Sequence, residues 1–329
     1  MTVPAPPGRV LALCGGIGGA KLALGLYRFL GAKLIVIVNT GDDFEHVGLH
    51  ISPDLDTVLY TLGGVADPER GWGRAQETWQ FMNSLRELGG DAWFQLGDRD
   101  LALHIQRTEL LHAGMSLSAF AAHAANKFGI SAQIVPMSDN AVRTMVETEE
   151  GVLPFQHYFV RRHCEPVVRA IHFAGATEAL PATGLIDLIA GSSLLATIVC
   201  PSNPYLSIDP ILAIPGIAAA LATAPSPVIA VSPIIGGKAL KGPTAKIMRE
   251  LHIAITNESI AAHYRGLIDG LVIDEADAND AGRLDVPVLT TRTMMRDMGD
   301  RERLAAETIA FAETLANRRQ VARRAGAHR

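Results

Sequence analysis

The stretch that decides the fold is RVLALCGGIGGAKLALGLYRFLGAKLIVIVNT, residues 9–40. Arg9–Cys14 is an apolar run of strand length, Ala20–Leu30 carries apolar residues at helical spacing, and Lys33–Thr40 is a second buried run. Together they predict a strand, helix, strand unit. Glycines occupy four of the five positions from Gly15 to Gly19, so the first strand enters the helix through a glycine-rich turn.

This glycine loop matches neither of the two common nucleotide-binding motifs. A dinucleotide fingerprint that starts at Gly16 needs its third glycine at the position of Lys21. A Walker A loop that starts at Gly15 must end in Gly-Lys-Ser or Gly-Lys-Thr, and this chain has Ala-Lys-Leu there. Glycine amides at a helix N-terminus still favour an anion, so phosphate binding and a tight turn selected by packing both stay open. The glycines concerned are Gly15, Gly16, Gly18 and Gly19.

Composition predicts a soluble cytoplasmic protein without a nucleic-acid or membrane partner. The chain has 329 residues, of which 48% are hydrophobic, and this is enough for a large core. Lys and Arg number 29 against 34 Asp and Glu, so nothing attracts the whole molecule to polyanions. Three widely spaced cysteines fit a reducing compartment. Prolines interrupt the apolar region 186–235, which therefore offers no membrane span.

Further apolar runs along the chain alternate with helical patterns and predict an α/β fold. We expect a Rossmann-like, mostly parallel sheet with helices on both faces and a ligand site at the carboxyl ends of its strands. The runs are Leu195–Cys200, Pro227–Pro233, Asp269–Asp274 and Val286–Thr291.

Two regions depart from this alternation. Residues 67–129 read as a small helical insertion, with Gly114 and Gly129 at helix C-termini, which leaves 1–66 and 130–329 as the α/β core. Thr144–Phe173 alternates in strand fashion around a Glu-Gly turn and predicts a β-meander.

Four aspartates lie within fifteen residues, after the second strand of the opening unit. Carboxylates at a sheet end, together with substrate phosphate oxygens, are what Mg²⁺ prefers. The structural alternative is that Asp54 caps the following helix while Asp42 and Asp43 form a turn. The candidate metal ligands are Asp42, Asp43, Asp54 and Asp56.

Three further segments carry candidate substrate-binding residues. The segment 97–108 places charged residues on or just before a helix, where a salt-bridged surface helix is the alternative. The segments 201–210 and 232–246 are loops after strands, rich in proline, glycine and hydroxyl groups, for which turn chemistry is the alternative. The candidates are Arg99, Asp100, His104, Ser202, Asn203, Ser232, Gly236, Gly237 and Lys238.

The ordered motifs of the chain resemble the 2-phospho-L-lactate transferases of coenzyme F420 biosynthesis, which include phosphoenolpyruvate transferase variants. The resemblance runs in order from about Val10 to Asp274. It rests on GGIGGAK, NTGDD, ISPDLDTVLYTLGG, ERGWG, LGDRDLALHI, MSDN, PSNPYLSIDPIL and SPIIGGKALKGPTAK.

This resemblance implies a Rossmann-like homodimer and a Mg²⁺-dependent reaction. A phospholactyl-type group would pass from a GDP-linked donor to the terminal hydroxyl of the deazaflavin Fo, with release of GMP. The four aspartates and the glycine loop would form the metal and phosphate site, with Asp42 or Asp56 as the base and Lys21 or Lys238 meeting the developing charge. The PSNP and SPIIGGK segments would hold guanosine and its phosphates, and the GDRD region would close over the deazaflavin.

Three questions stay open at this point. The donor could carry 2-phospholactate, phosphoenolpyruvate or phosphoglycerate. A related enzyme that acts on nucleotide-sugar diphosphates would share the fold and the metal loop. A regulatory protein that binds a nucleotide or a sugar phosphate could use the same scaffold, because the fold alone does not establish chemistry.

Overall fold

The structure, a computed structural model, describes residues 8–239 and 242–326. Its strands in chain order are β1 (Arg9–Cys14), β2 (Leu34–Val38), β3 (Phe44–His46), β4 (Leu49–Ile51), β5 (Gln133–Pro136), β6 (Arg143–Thr148), β7 (Gly151–Pro154), β8 (Val168–Ala174), β9 (Leu194–Val199), β10 (Val228–Val231), β11 (Ile234–Ile235), β12 (Lys238–Ala239), β13 (Gly270–Asp274) and β14 (Val288–Thr291). The α-helices are α1 (Gly16–Leu30), α2 (Pro53–Leu62), α3 (Gln80–Glu87), α4 (Asp98–His112), α5 (Leu117–Lys127), α6 (Leu185–Ala190), α7 (Asp209–Leu212), α8 (Ile217–Ala222), α9 (Thr244–Glu250), α10 (Asn257–His263) and α11 (Met298–Gly326).

The core of the fold is a seven-stranded sheet in the order β14-β13-β10-β9-β1-β2-β5. Every neighbouring pair in it is parallel, which confirms the predicted Rossmann-like sheet. The chain winds outward from β1 to β5 and then crosses back to continue from β9. The strand order therefore reverses between β1 and β9, and such a switch point is where α/β sheets bind ligands.

Both faces of the sheet are covered, as predicted. Because side chains alternate along a strand, Val10 and Ala12 point to one face while Leu11 and Leu13 point to the other. The first face packs against α1, α2, α5 and α11. The second packs against α6 to α10 and the β-meander. Burial on both faces explains why the strands read as continuous apolar runs.

The predicted meander is present, with β6 pairing antiparallel to both β7 and β8. The region 67–129 contains α3, α4 and α5, and Gly114 and Gly129 follow the last two of these helices with positive φ. Phe120 of α5 packs in the same cluster as α1, whereas Met82 of α3 belongs to a small separate cluster. The division into a core and an insertion at residues 67 and 129 stays a prediction.

Two local features differ from the sequence expectation. Helix α1 begins at Gly16 instead of Ala20, because the glycine run forms its first turn. The segment after β2 contains the β3–β4 hairpin, closed by Val47 and Gly48, both with positive φ.

Among the residues that the structure describes, no helix combines the length and the apolar character needed to cross a membrane.

Candidate active site

A cavity of about 700 Å³ opens where β1, β2, β9 and β10 end. The loops that follow these strands form its wall, so residues far apart in the sequence meet there. Twelve candidates from the sequence line it. They are Gly15, Gly16, Gly18, Lys21, Asp42, Asp54, Asp56, Asp100, His104, Ser202, Asn203 and Ser232.

The glycine loop packs tightly against the loop that follows β9. The Gly15 amide donates to Ser202 Oγ at 3.2 Å, and Ser202 Oγ donates to the Gly15 carbonyl oxygen at 2.7 Å. A Cβ on Gly18 would lie 2.6 Å from the carbonyl oxygen of Pro201. Gly19 is buried against Ser202 and Cys14 and does not belong to the cavity lining that the structure describes. Packing at the switch point therefore accounts for Gly18 and Gly19.

Asp42 and Asp54 form a pair of buried acids on the cavity wall. Asp54 accepts hydrogen bonds from the Gly16 amide at 2.7 Å and from Asn39 Nδ2 at 2.9 Å. It therefore holds the start of α1, while Ser52 occupies the N-cap position of its own helix α2. Oδ1 of Asp42 is buried and has no hydrogen-bond partner among the described residues.

The electrostatics of this pair favour a positive ligand. Burial, reinforced by the charge of Asp54, raises the pKa of Asp42 well above its usual range. Burial also raises the pKa of Asp54 to about 6, although the bonds from Asn39 and Gly16 oppose that shift. A cation between such carboxylates would favour their charged forms.

The other two predicted metal ligands have different surroundings. Asp43 accepts from Ser52 Oγ at 2.7 Å, lies outside the described cavity lining, and has its pKa raised to about 8 by burial. Asp56 lines the cavity, but Arg107 donates to both of its oxygens, at 2.6 and 2.9 Å. Among the described residues, no three His, Cys, Asp or Glu side chains form a metal-binding group. The geometry therefore favours the pair Asp42 and Asp54 over a four-aspartate site.

A buried polar network extends from Asp56 along α4. Arg107 is fully buried, and its Nη2 lies 2.6 Å from His104 Nδ1. Because a guanidinium only donates, Nδ1 accepts this bond and the ring proton of neutral His104 is assigned to Nε2. His104 Nε2 lies 3.3 Å from Asp100 Oδ2, and Tyr60 donates to Asp100 Oδ1 at 2.5 Å.

These contacts overturn the surface-helix interpretation for most of this segment. Asp100 and His104 are buried on the cavity wall. Among the described candidates Arg99, Asp100 and His104, only Arg99 fits that interpretation, since it is exposed and bonds to the Ala75 carbonyl and Gln76 Oε1. Arg99 does not belong to the described lining.

Three further polar candidates line the cavity. Asn203 lines the cavity and caps the turn that follows it, with Nδ2 buried and unpartnered among the described residues. Ser232 also lines the cavity, and its Oγ donates to Asn257 Oδ1 at 2.6 Å. Lys21 lines it too, with Nζ 3.3 Å from the Met295 carbonyl oxygen.

The glycine and lysine candidates of the second loop lie away from the described wall. The Gly236 and Gly237 amides are bound by Asp277, which leaves them unsuited to holding a phosphate in this arrangement. Lys238 is exposed on β12. Lys241, in the same loop, lies outside the described residues.

Sequence reasoning missed the aromatic part of the wall. Phe155 and Phe159 stack with their ring centroids 5.3 Å apart. Phe155 lies just before a π-helical turn and Phe159 lies within it, and the meander pattern did not predict this turn. Trp72 lies within the ERGWG motif, which was the one available signal. The aromatic lining residues are Tyr60, Trp72, Phe94, Phe155 and Phe159.

Solved structures confirm the fold. A UPF0052 family protein from Bacillus halodurans aligns with a TM-score of 0.63 over 93% of this chain and 100% of its own, at 14% identity. A second crystal structure of the same Bacillus halodurans protein gives a TM-score of 0.61 over 92% of this chain and 99% of its own, at 12% identity. Identities this low speak to the fold alone.

Curated relatives are much closer in sequence. The chain is 41% identical to the phosphoenolpyruvate transferase of Kitasatospora aureofaciens, over 93% of this chain and 98% of the relative. It is 39% identical to the Streptomyces coelicolor protein of the same name, with the same coverage. The model of the family described as 2-phospho-L-lactate transferase CofD matches residues 10–310. The chain therefore belongs to the 2-phospho-L-lactate transferase CofD family of enzymes.

Proposed function

We propose that this enzyme acts in coenzyme F420 biosynthesis and transfers a phospholactyl-type group from a GDP-linked donor to the terminal hydroxyl of Fo. The transferred group is 2-phospholactate, phosphoenolpyruvate or phosphoglycerate, and GMP is released. The homodimer and the cytoplasmic location expected from the sequence stay predictions.

The observation that carries the proposal is the acid pair on the cavity wall at the switch point. Asp42 and Asp54 are buried beside each other's charge, and Oδ1 of Asp42 lacks a partner among the described residues. Two carboxylates that share a site with substrate phosphates suit Mg²⁺, which retains waters and needs few protein ligands. Asp42 and Asp54 would hold the ion, which supplies charge neutralisation for the diphosphate.

The chain's own residues would then align the two substrates. The hydroxyl oxygen of Fo forms a bond to the phosphorus that carries the three-carbon acid, and the bond from that phosphorus to GMP breaks. Asp42, which has a buried oxygen without a partner among the described residues, would accept the hydroxyl proton. Lys21, which lines the same cavity, would stabilise charge on the leaving phosphate.

Asp56 takes a different role from the one first expected. Both of its oxygens are bound by Arg107, so it is a poor base. We assign it to positioning His104 and Asp100 through Arg107.

The aromatic end of the cavity suits the acceptor ring. Tyr60 and Trp72 line it with Phe94, beside the polar pair Asp100 and His104. Apolar walls with a few convergent polar groups are typical of sites for planar ligands. We therefore place the deazaflavin at this end and the guanosine diphosphate towards Ser202 and Ser232.

The test is incubation of the purified protein with Fo, Mg²⁺ and each of the three GDP-linked donors, followed by mass spectrometry. We expect GMP and a deazaflavin that has gained the phosphorylated acid, with one donor preferred. GDP binding without turnover of any donor would instead favour a regulatory nucleotide-binding protein.

A further inference from the structure

Three aspartates recur at every third position from the last residue of β13 onward. The sequence there reads DEADAND, with Asp274, Asp277 and Asp280 three residues apart. Glu275–Arg283 is 3₁₀-helical, and Asp274 is its N-cap. The segment is kinked at Asp277, where two short 3₁₀ turns meet, and one aspartate stands before the first turn, one at the kink and one in the second turn.

Asp277 holds the turn of the β11–β12 hairpin. Its Oδ2 accepts the Gly236 amide at 2.8 Å, and its Oδ1 accepts the Gly237 amide at 2.9 Å. Both glycines have positive φ, as a two-residue hairpin turn requires. Asp277 is itself the one residue of Glu275–Arg283 with non-helical φ and ψ, and it is buried.

This hairpin is part of the cavity wall. Ile235 and Ala239, from its two strands, line the cavity, as does Ser232 just before it. The two turn glycines themselves are exposed. The Asp277 carboxylate therefore fixes the β11–β12 hairpin, whose strands have only two residues each.

The neighbouring aspartates hold two other parts of the same wall. Asp274 Oδ2 accepts the Thr293 amide at 2.7 Å and the Thr293 hydroxyl at 3.0 Å. Asp280 accepts from Asn257 Nδ2 at 3.0 Å, and Asn257 in turn accepts from Ser232 Oγ. Thr293 and Ser232 both line the cavity.

We infer that Asp274, Asp277 and Asp280 form a row of positioning residues that fixes the donor side of the cavity, with Asp277 setting the affinity for the nucleotide through the β11–β12 hairpin. The inference rests on the proposed function, which places the nucleotide on the side of Ser232. Tyr60, Asp100 and His104 belong to α2 and α4, on the far side of the switch point, and do not contact the row in any described hydrogen bond.

The first test needs no variant. Hydrogen exchange of the wild-type protein should show slow exchange at the Gly236 and Gly237 amides, although both residues lie in an exposed turn. Protection would follow from the bonds to Asp277. Exchange as fast as in an unstructured peptide would overturn the anchoring.

The second test separates the two substrates. Asp277→Asn keeps the size of the side chain but offers one acceptor where two amides need one each, and Asp277→Ala removes both. We expect faster exchange in the hairpin, a rise of about tenfold in the Kd and KM for the nucleotide, and an unchanged Kd for Fo. Glu275→Gln, which removes an exposed charge from the same segment, should match the wild type.

The outcomes distinguish the inference from the proposed function. Equal weakening of GDP and Fo binding in Asp277→Asn, or no weakening of GDP binding, would overturn the role of Asp277 on the donor side. If the wild type binds neither GDP nor Fo, the proposed function fails, and the exchange of the glycine amides still supports or refutes the anchoring by Asp277. Thermal melting of each variant shows whether it is folded.

Discussion

At the scale of single residues, the partner of a carboxylate decides its role more than its place in a motif. Asp42, Asp43, Asp54 and Asp56 all follow the same strand in the sequence. Among the described residues, Asp42 and Asp43 each have one buried oxygen without a partner, and the other oxygen of Asp43 accepts from a serine hydroxyl. Asp54 holds the start of α1, and both oxygens of Asp56 are bound by Arg107. Only Asp42 and Asp54 combine a place on the described cavity wall with surroundings in which no arginine already neutralises the carboxylate.

Replacing Asp42 with asparagine should therefore abolish most activity without unfolding the protein. We expect turnover to fall by about a hundredfold or more, because the proton acceptor and a metal ligand are lost together. Thermal melting should be unchanged or higher, since a buried carboxylate with a raised pKa destabilises the folded state at neutral pH. Steady-state kinetics and calorimetry measure both.

The matched control is Glu45→Gln, which removes an exposed charge three residues away and should retain full activity. Near-normal turnover of Asp42→Asn at saturating Mg²⁺ would remove Asp42 from the site.

Loss of the Arg107 side chain should lower the free energy of unfolding. It is fully buried and bidentate to Asp56, so Arg107→Met leaves an unpaired buried carboxylate. We expect the free energy of unfolding to fall by about 3–5 kcal/mol in urea titrations. Arg99→Met, on the exposed side of the same helix, should change it by less than about 0.5 kcal/mol. Equal effects of the two variants would contradict the described network.

At the scale of elements, the glycine loop works through close packing as well as through its amides. Helix α1 can start against the loop after β9 only because Gly18 has no Cβ near the Pro201 carbonyl oxygen. The two loops that flank the switch point are thereby held in one arrangement, and Asp54 ties α2 to the same place.

Gly18→Ala should disturb this junction. The added Cβ would lie 2.6 Å from the Pro201 carbonyl oxygen, so the two loops must separate. We expect a loss of about 1–3 kcal/mol in the free energy of unfolding, measured by urea titration, together with a reduced kcat/KM. Gly282→Ala, where a Cβ meets no atom within 4 Å, is the control and should resemble the wild type. A Gly18→Ala variant as stable and active as the wild type would show that the two loops can separate without cost.

At the scale of the whole molecule, buried acids couple stability to pH and to the cation. Burial raises the pKa of Asp54 from 3.8 to about 6 and that of Asp43 from 3.8 to about 8. A carboxyl whose folded pKa lies above its unfolded value stabilises the fold below the unfolded value and loses that contribution as pH rises through the folded one. The window here runs from about pH 4 to about pH 8.

The metal-free protein should therefore lose stability as pH rises from about 5 to 8, while Mg²⁺ should raise its melting temperature more at pH 8 than at pH 5. Protons and the cation compete for Asp42 and Asp54, so Mg²⁺ binds and stabilises the protein more at the higher pH. Differential scanning calorimetry with and without Mg²⁺ measures it, and Asp54→Asn should reduce the Mg²⁺ effect. An identical Mg²⁺ shift at both pH values would speak against a cation at these acids.

The sequence by itself determined the α/β architecture, because buried parallel strands and amphipathic helices leave local apolar patterns that need no distant partner to be read. It also determined that an acid-rich loop and a glycine turn meet at the carboxyl end of the sheet, since consecutive parallel strands all point the same way. What it left open was the environment of each side chain at that meeting point.

Only the tertiary structure decided which acids face the cavity, because that depends on contacts between distant parts of the chain. The partner of Asp56 lies 51 residues away, and the carboxylate that binds the Gly236 and Gly237 amides lies about 40 residues further on. The aromatic wall likewise combines segments from before α3, before α4 and after β7. Local sequence patterns report burial and backbone periodicity. The partner of a side chain, its distance from that partner and its desolvation are set only when distant segments pack together.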